Sequence, residues 1–203
     1  SGKVLVMRIF ITVLVLIFSF QSWTKAEDIS DFEIEGMSVG DSLLDYFTED
    51  ELNEGKKYYR NSKSKAFFLT NVYSSNFKTY DNIMFHFKDN DPKYIIHSIS
   101  GAVFFKNNGI RNIEDCMIER KKIDKELTKL FGSSERVVGD NKPHEGDITG
   151  QSFEHGIYYW LEDGSLASVS CNEFSKTFDA SNHLKVIVYS KDFAHWITYV
   201  AYE

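Results

Sequence analysis

Phe153-Glu154-His155-Gly156-Ile157-Tyr158-Tyr159-Trp160-Leu161, then Glu162-Asp163-Gly164-Ser165, then Leu166-Ala167-Ser168-Val169-Ser170-Cys171: two β-rich runs of strand length flank an Asp-Gly turn, the pattern of an antiparallel hairpin. Side chains alternate across a strand. If Phe153, His155, Ile157, Tyr159 and Leu161 face the core, Tyr158 and Trp160 face outward. Exposed aromatic side chains carry binding energy at protein and glycan surfaces. Tyr158 and Trp160 are therefore the candidate binding residues.

Outward from this hairpin, further strands are expected at Ala66 to Tyr73, Ile83 to Phe87, Tyr94 to Ile99 and Leu184 to Tyr189. Asp89-Asn90-Asp91-Pro92 has turn chemistry and joins the second and third of these. With that turn as the loop, Lys88 stands opposite Lys93, and Ile83, Phe85, Phe87, Tyr94 and Ile96 share the core side. His86 and His97 then share the other face with Met84, Ile95 and Ile99. Gly101 to Phe105 continues the strand or begins another.

Helices punctuate the strands. Ser38 and Asp41 have capping-box spacing, with Val39, Leu43, Tyr46 and Phe47 as the stripe behind them, so a helix is expected to about Phe47. Thr48-Glu49-Asp50-Glu51 repeats the signature and starts a second, short helix ending near Tyr58 or Tyr59. Asn112 caps the clearest helix, in which Ile113, Cys116, Ile123, Leu127 and Leu130 recur at helical spacing before Gly132. Ser190 caps a terminal helix with Phe193, Ile197 and Val200 on one side. Asp31 to Glu35 alternates as a short edge strand or arm, and Ser133 to Gly150 reads as a long polar loop.

Runs of strands joined by short turns, without strand–helix alternation, predict an α+β fold with a mostly antiparallel sheet and helices packed on one side. A helix followed by a hairpin is expected twice, over 38–105 and 112–171, with no residue-level repeat to mark a duplication. The folded part is expected to be one domain over 27–203, any subdivision falling near 106–112. Seventeen Phe and eleven Tyr supply ample core material. A chain of this size buries about 70% of the surface its unfolded form exposes, so it needs no metal to fold.

The N-terminal region has a different character. Met7-Arg8 precedes the apolar run Ile9 to Phe20, followed by Gln21-Ser22-Trp23-Thr24-Lys25-Ala26 and the acidic Glu27-Asp28. A basic start, an apolar stretch of about 12 residues and a small-x-Ala end read as a secretory signal peptide, with cleavage expected after Ala26 and Ser1 to Val6 upstream of the initiator Met7. The run is shorter than the roughly 20 residues that span a bilayer, so contact with the membrane is expected only during export. The expected location is periplasmic or secreted. Removing the segment takes away Lys3, Arg8 and Lys25 and no acid, moving the net charge from −7 to −10. An acidic domain repels phosphate backbones, which excludes nucleic acid as a partner. Cys116 and Cys171 allow one disulfide, as an oxidising compartment favours, or two separate buried thiols.

The stretch Phe32-Glu33-Ile34-Glu35-Gly36-Met37-Ser38-Val39-Gly40-Asp41-Ser42-Leu43-Leu44-Asp45-Tyr46-Phe47 resembles the opening of small exported proteins of Pelagibacter-type marine alphaproteobacteria. Gln21 to Ala26 and Tyr94-Ile95-Ile96-His97-Ser98-Ile99-Ser100-Gly101 are similar too. That resemblance implies no activity and transfers no functional residue. The Gly-Met-Ser helix start, followed by a second helix and antiparallel strands, also resembles one unit of the β-lactamase-inhibitor-protein-like fold. That fold recurs in outer-membrane assembly lipoproteins, whose lipid-modified Cys this chain lacks.

Gly36-Met37-Ser38-Val39-Gly40 matches the G-x-S-x-G nucleophile elbow. The elbow needs a parallel sheet built before it, and only about ten residues would precede it after cleavage, so Ser38 reads first as a helix cap and only weakly as a nucleophile. His86 and His97 supply half of a metal site, with no third ligand fixed by spacing. Asp89-Asn90-Asp91 opens like a calcium loop but lacks its glycine and distal glutamate. Pro143-His144-Glu145-Gly146-Asp147 places a histidine and two carboxylates in the long loop. No phosphate loop, dinucleotide fingerprint, H-E-x-x-H or C-x-x-C occurs, so no cofactor is expected. The expected function is a non-catalytic exported protein that binds an envelope protein or a small ligand through its sheet face. The alternative is a small periplasmic hydrolase using Ser38 or the His144 loop. Oligomeric state is not legible.

Overall fold

Eight antiparallel strands make one sheet in the order β1-β2-β3-β4-β8-β7-β6-β5. They are β1 (Lys57–Tyr58), β2 (Phe67–Val72), β3 (Asn82–Lys88), β4 (Ser98–Phe104), β5 (Glu135–Pro143), β6 (Phe153–Trp160), β7 (Leu166–Glu173) and β8 (His183–Tyr189). The structure is a computed structural model and describes residues 28–59, 62–73, 76–144, 147 and 149–203. The signal-peptide reading, and Glu145 and Gly146 of the His144 loop, lie outside the described residues. Among the described residues three α-helices accompany the sheet: α1 (Glu49–Glu54), α2 (Ile113–Leu130) and α3 (Lys191–Tyr199). The α+β class and antiparallel sheet follow the sequence reading. So does the twofold recurrence of a helix with a hairpin, each extended here into a four-stranded meander. The two meanders meet at β4 and β8, whose register runs from Ser98↔Tyr189 to Phe104↔His183.

Local chemistry sets each element. Thr48 and Glu51 close a reciprocal capping box that starts α1. The Asn112 side chain accepts from the Asp115 amide to start α2, and Ser190 Oγ does the same for Phe193 in α3. Gly164 at φ +89° supplies the left-handed residue of the β6–β7 turn.

Because directly paired residues point the same way, the register divides the sheet into two faces. One carries Phe85, Ile99, Val188, Ala167 and Tyr159 in a single cross-strand row, all in the main hydrophobic core. α2 lies on this face, with Cys116, Ile123 and Leu127 buried. The other face carries Ser98, Ser100, Ser168 and Ser170, and is called the serine face below.

The expectation that helices pack on one side is corrected. α3 lies on the serine face, where Phe193 and Trp196 form a separate aromatic cluster with Phe67. The cause is that Phe67 and Phe68 are adjacent in one strand and so point to opposite faces, each requiring its own cover. The buried side of α3 is Phe193, Ala194 and Trp196, while Val200 is exposed.

Four further expectations change. No helix follows Ser38: Glu35 and Gly36 at φ +54° and +79° turn the chain between Ile34 and Met37, Gly40 at φ +98° interrupts it again, and only the single 3-10 turn Leu43–Asp45 forms. α1 ends at Glu54, and Lys57–Tyr58 then pairs with β2. Tyr94 to Ile96 is not strand, because Asp91 accepts from the Lys93 and Ile95 amides and folds the chain into a wider loop. His86 therefore faces Ser98, and Ile99 enters the main core opposite Phe85. The long polar loop contains β5, an outer strand exposed along nearly all of its length. β5 is held by Arg120–Asp140 and Arg136–Asp124 ion pairs at 2.5 and 2.9 Å, which tie it to α2.

Cys116 and Cys171 form a disulfide, with Cα atoms 6.0 Å apart, joining the first turn of α2 to β7. Closing a loop across 55 residues stabilises the fold by about 4 kcal/mol in the chain-entropy account. The double variant Cys116→Ala/Cys171→Ala is expected to lose about 3–4 kcal/mol, measured as a lowered guanidinium midpoint. An unchanged midpoint would show that the bridge contributes nothing.

Candidate functional site

The serine face is built by register. Its first row runs Leu69–His86–Ser98–Tyr189–Leu166–Trp160, its second Asn71–Met84–Ser100–Ile187–Ser168–Tyr158, and its third Asn82–Ala102–Lys185–Ser170–Gly156. Of the described helices only α3 packs here, and its contacts with Phe67, His86 and Tyr189 place it over one end. Both candidate binding residues belong to this face and are half-buried.

Tyr158 lies along its own strand over Gly156. A Cβ at Gly156 would come within 2.5 Å of the Tyr158 ring carbon Cζ, so the glycine is what lets the ring lie flat. The Tyr158 hydroxyl donates to Glu154 Oε1. Trp160 stands at the other end of the strand and lines a cleft of about 680 Å³ between α3 and the β6–β7 turn. That volume falls within the roughly 300–1,000 Å³ typical of small-molecule sites. Phe67, Tyr199 and His195 add rings, and Asp163 and Lys191 bring opposite charges to its rim. Lys88 pairs with Asp192 at 2.8 Å and fastens the start of α3 to β3.

Electrostatics on this face favour hydrogen-bond donors. Burial pushes Tyr59 up to about 12 and Tyr189 well above its ordinary range, so both keep their protons at neutral pH. Burial lowers Lys185, against a smaller opposing pull from Glu154.

His86 and His97 do not assemble a metal site. His86 is fully buried, its ring 4.4 Å from that of Phe193 and 5.3 Å from that of Tyr59. His97 lies outside the strands, its ring edge-on to Phe67 and its Nδ1 3.2 Å from Ser190 Oγ. Among the described residues no group of three His, Cys, Asp or Glu is arranged to hold a metal ion. Both ring nitrogens of His86, and the Oγ of Ser98 directly opposite, have no hydrogen-bond partner among the described residues.

Ser38 is buried, and its Oγ donates to the Phe32 carbonyl at 3.2 Å while its amide donates to Asp41. It serves the turn at the start of the chain, and no histidine is among its hydrogen-bond partners. His144 packs against the rings of Phe174 and Phe178 at 5.1 and 5.3 Å. Asp147 accepts from Ser152 and Thr149, which holds it far below the usual carboxylate range. The two ends of the His144 loop are thus tied into local packing.

The sequence reading passed over Lys185, Ser100 and Ser168. For Lys185 and Ser168 the signal was available: in the strands Leu184 to Tyr189 and Leu166 to Cys171 they are off-core positions that carry polar groups.

Burial, and secondarily the charge of Lys185, lowers the His86 pKa to about 3, against about 6.5 for an unfolded histidine. The unfolded chain then binds a proton that the folded chain refuses, so stability falls as pH drops below about 6.5 toward 3. By pH 5 this one group should cost about 2 kcal/mol. Denaturant midpoints for His86→Leu should fall less steeply between pH 7 and 5 than those of the native chain. Parallel pH profiles would show that His86 does not couple folding to protons.

No family model matches the chain, no curated protein matches it in sequence, and no solved structure matches its fold.

Proposed function

We propose that this is an exported, non-catalytic binding protein that takes a small ligand on its serine face, with Trp160 and Tyr158 as the principal contacts. The single observation that carries the reading is the cleft of about 680 Å³ in which Trp160 stands half-buried beside Phe67, Tyr199 and His195. Aromatic walls with a few charged groups at the rim are the common composition of ligand sites. Export is supported by the signal-like segment Met7 to Ala26 and by the Cys116–Cys171 bridge, which an oxidising compartment maintains. Among the described residues no helix is long and apolar enough to cross a membrane.

A ligand-observed NMR screen of small aromatic and polar compounds tests the reading. Compounds that bind the native protein should bind Trp160→Ala at least tenfold more weakly and Tyr158→Ala measurably more weakly, with both variants folded by circular dichroism. Hits that bind both variants as tightly as the native protein would remove this cleft as the site. An envelope protein that protects Trp160 from solvent, with no small molecule doing so, would replace the ligand by a protein partner.

A further inference from the structure

The two described tryptophans of this chain are used in opposite ways. Trp196 is buried, its ring packed on those of Tyr59, Phe67 and Phe193, and its indole N–H donates to Ser64 Oγ at 3.0 Å. Trp160 stands half-buried in the cleft, and among the described residues its ring meets no other ring and its N–H no acceptor. Tyr199, also in the cleft, is 60% exposed and touches only the His195 ring, at 5.4 Å. The polar groups divide in the same way. Lys88 is neutralised by Asp192 at 2.8 Å. Lys191 has no ion pair and no side-chain hydrogen bond among the described residues, although the start of α3 comes close to the β6–β7 turn: a Cβ at Gly164 would lie 4.0 Å from that of Lys191. Asp163 in that turn spends Oδ1 on the Ser165 amide and hydroxyl, and its Oδ2 has no donor among the described residues. Lys88 and Lys191 against Asp163 and Asp192 bring the formal charge of the cleft to zero, in a chain of net charge −7.

We infer that the cleft binds an uncharged saccharide, with Trp160 and Tyr199 stacking on the faces of its pyranose rings and Lys191 and Asp163 bonded to its hydroxyls. The inference rests on the ligand-cleft reading above and adds the chemical class of the ligand. A pyranose carries C–H groups on its faces, which suit the negative face of an aromatic ring. Hydroxyls surround its edge, and each one both donates and accepts. An indole N–H and an ammonium as donors, with a carboxylate oxygen as acceptor, match that edge from both sides. An organic anion would meet Asp163 as well as Lys191, and an organic cation the reverse. A wholly apolar ligand would strip water from both groups and return no hydrogen bond. Trp160 and Tyr199 are not in ring contact with each other, so each is left to a different sugar unit.

The probes are maltose, cellobiose and diacetylchitobiose, titrated by NMR beside phenylalanine, 3-phenylpropionate and phenethylamine. At least one disaccharide should bind saturably, with saturation transfer strongest to its ring C–H protons. It should move the Trp160 indole N–H and leave that of Trp196 in place. Its affinity should be the same in low and high salt, because no net charge is exchanged. Trp160→Ala should weaken it at least tenfold, and Trp160→Phe, which keeps a ring, should recover most of the loss. Tyr199→Ala, at an exposed position, and Asp163→Asn, which keeps the oxygen that holds the turn, should each weaken it several-fold. The methyl glycosides of the same sugars distinguish the sources: binding equal to the parent sugar identifies a segment of a longer glycan, and loss of binding a free reducing sugar. Binding of phenylalanine, the acid or the amine at Trp160, with no disaccharide bound, would overturn the saccharide and leave the cleft standing as a ligand site. If none of the six probes moves Trp160 or Tyr199, both the saccharide and the cleft reading fall.

Discussion

The pairing of β4 with β8 is the interaction on which the rest depends. Each half of the chain can build a four-stranded meander from local hairpins, but neither meander alone presents a wide surface. Seven registered pairs, from Ser98↔Tyr189 to Phe104↔His183, fuse them into one sheet. That seam puts Ile99 against Val188 in the main core. It also puts Ser98 beside Tyr189, and Ala102 beside Lys185, on the opposite face. A slip of one residue would exchange the two sets and bury Lys185 in the apolar core, so the hydrophobic pattern of both strands fixes the register. The disulfide acts on the same arrangement from the other side, fastening α2 to β7, which pairs with β8.

Among the described residues, buried polar atoms without a hydrogen-bond partner occur on both faces: His86 and Ser98 on the serine face, Arg120 Nε and His155 Nε2 on the α2 side. On the α2 side, Tyr159 lies buried, and its hydroxyl reaches both Thr128 and Asp124, which in turn pairs with Arg136. Those charges work on structure, holding an exposed strand to a helix. On the serine face, His86 and Ser98 stand opposite each other without a hydrogen-bond partner among the described residues. Leaving a buried polar group unmade typically costs about 1–3 kcal/mol.

Strand parity was legible in the sequence, and long-range placement was not. The alternation in Phe153 to Leu161 put Tyr158 and Trp160 on the off-core face, and the helical stripe through Cys116 put that thiol on the buried side, because both depend only on local periodicity. The register around Asp89 to Pro92 was misread because the Asp91 carboxylate organises a wider loop through its own side-chain bonds, which hydrophobic spacing does not report. β5 escaped notice because a strand exposed on both faces has no hydrophobic alternation, and its order comes from α2 through Arg120 and Asp124. The position of α3 turned on Phe67 and Phe68 standing side by side. Of the two binding residues named from sequence, both lie on the serine face and Trp160 lines the cleft.

Sheet edges are natural templates for unwanted growth, and both outer strands here are poor ones. β1 is two residues long. β5 is long enough to recruit a stranger, but it carries Glu135, Arg136, Asp140 and Lys142, breaks register after Gly139, and ends on a proline that has no amide hydrogen to give. The sheet is closed to addition at its rims without being a barrel. Molecules that approach it in a concentrated compartment are therefore sorted by side-chain chemistry across its face, rather than captured by the backbone along its border, where any extended chain would serve.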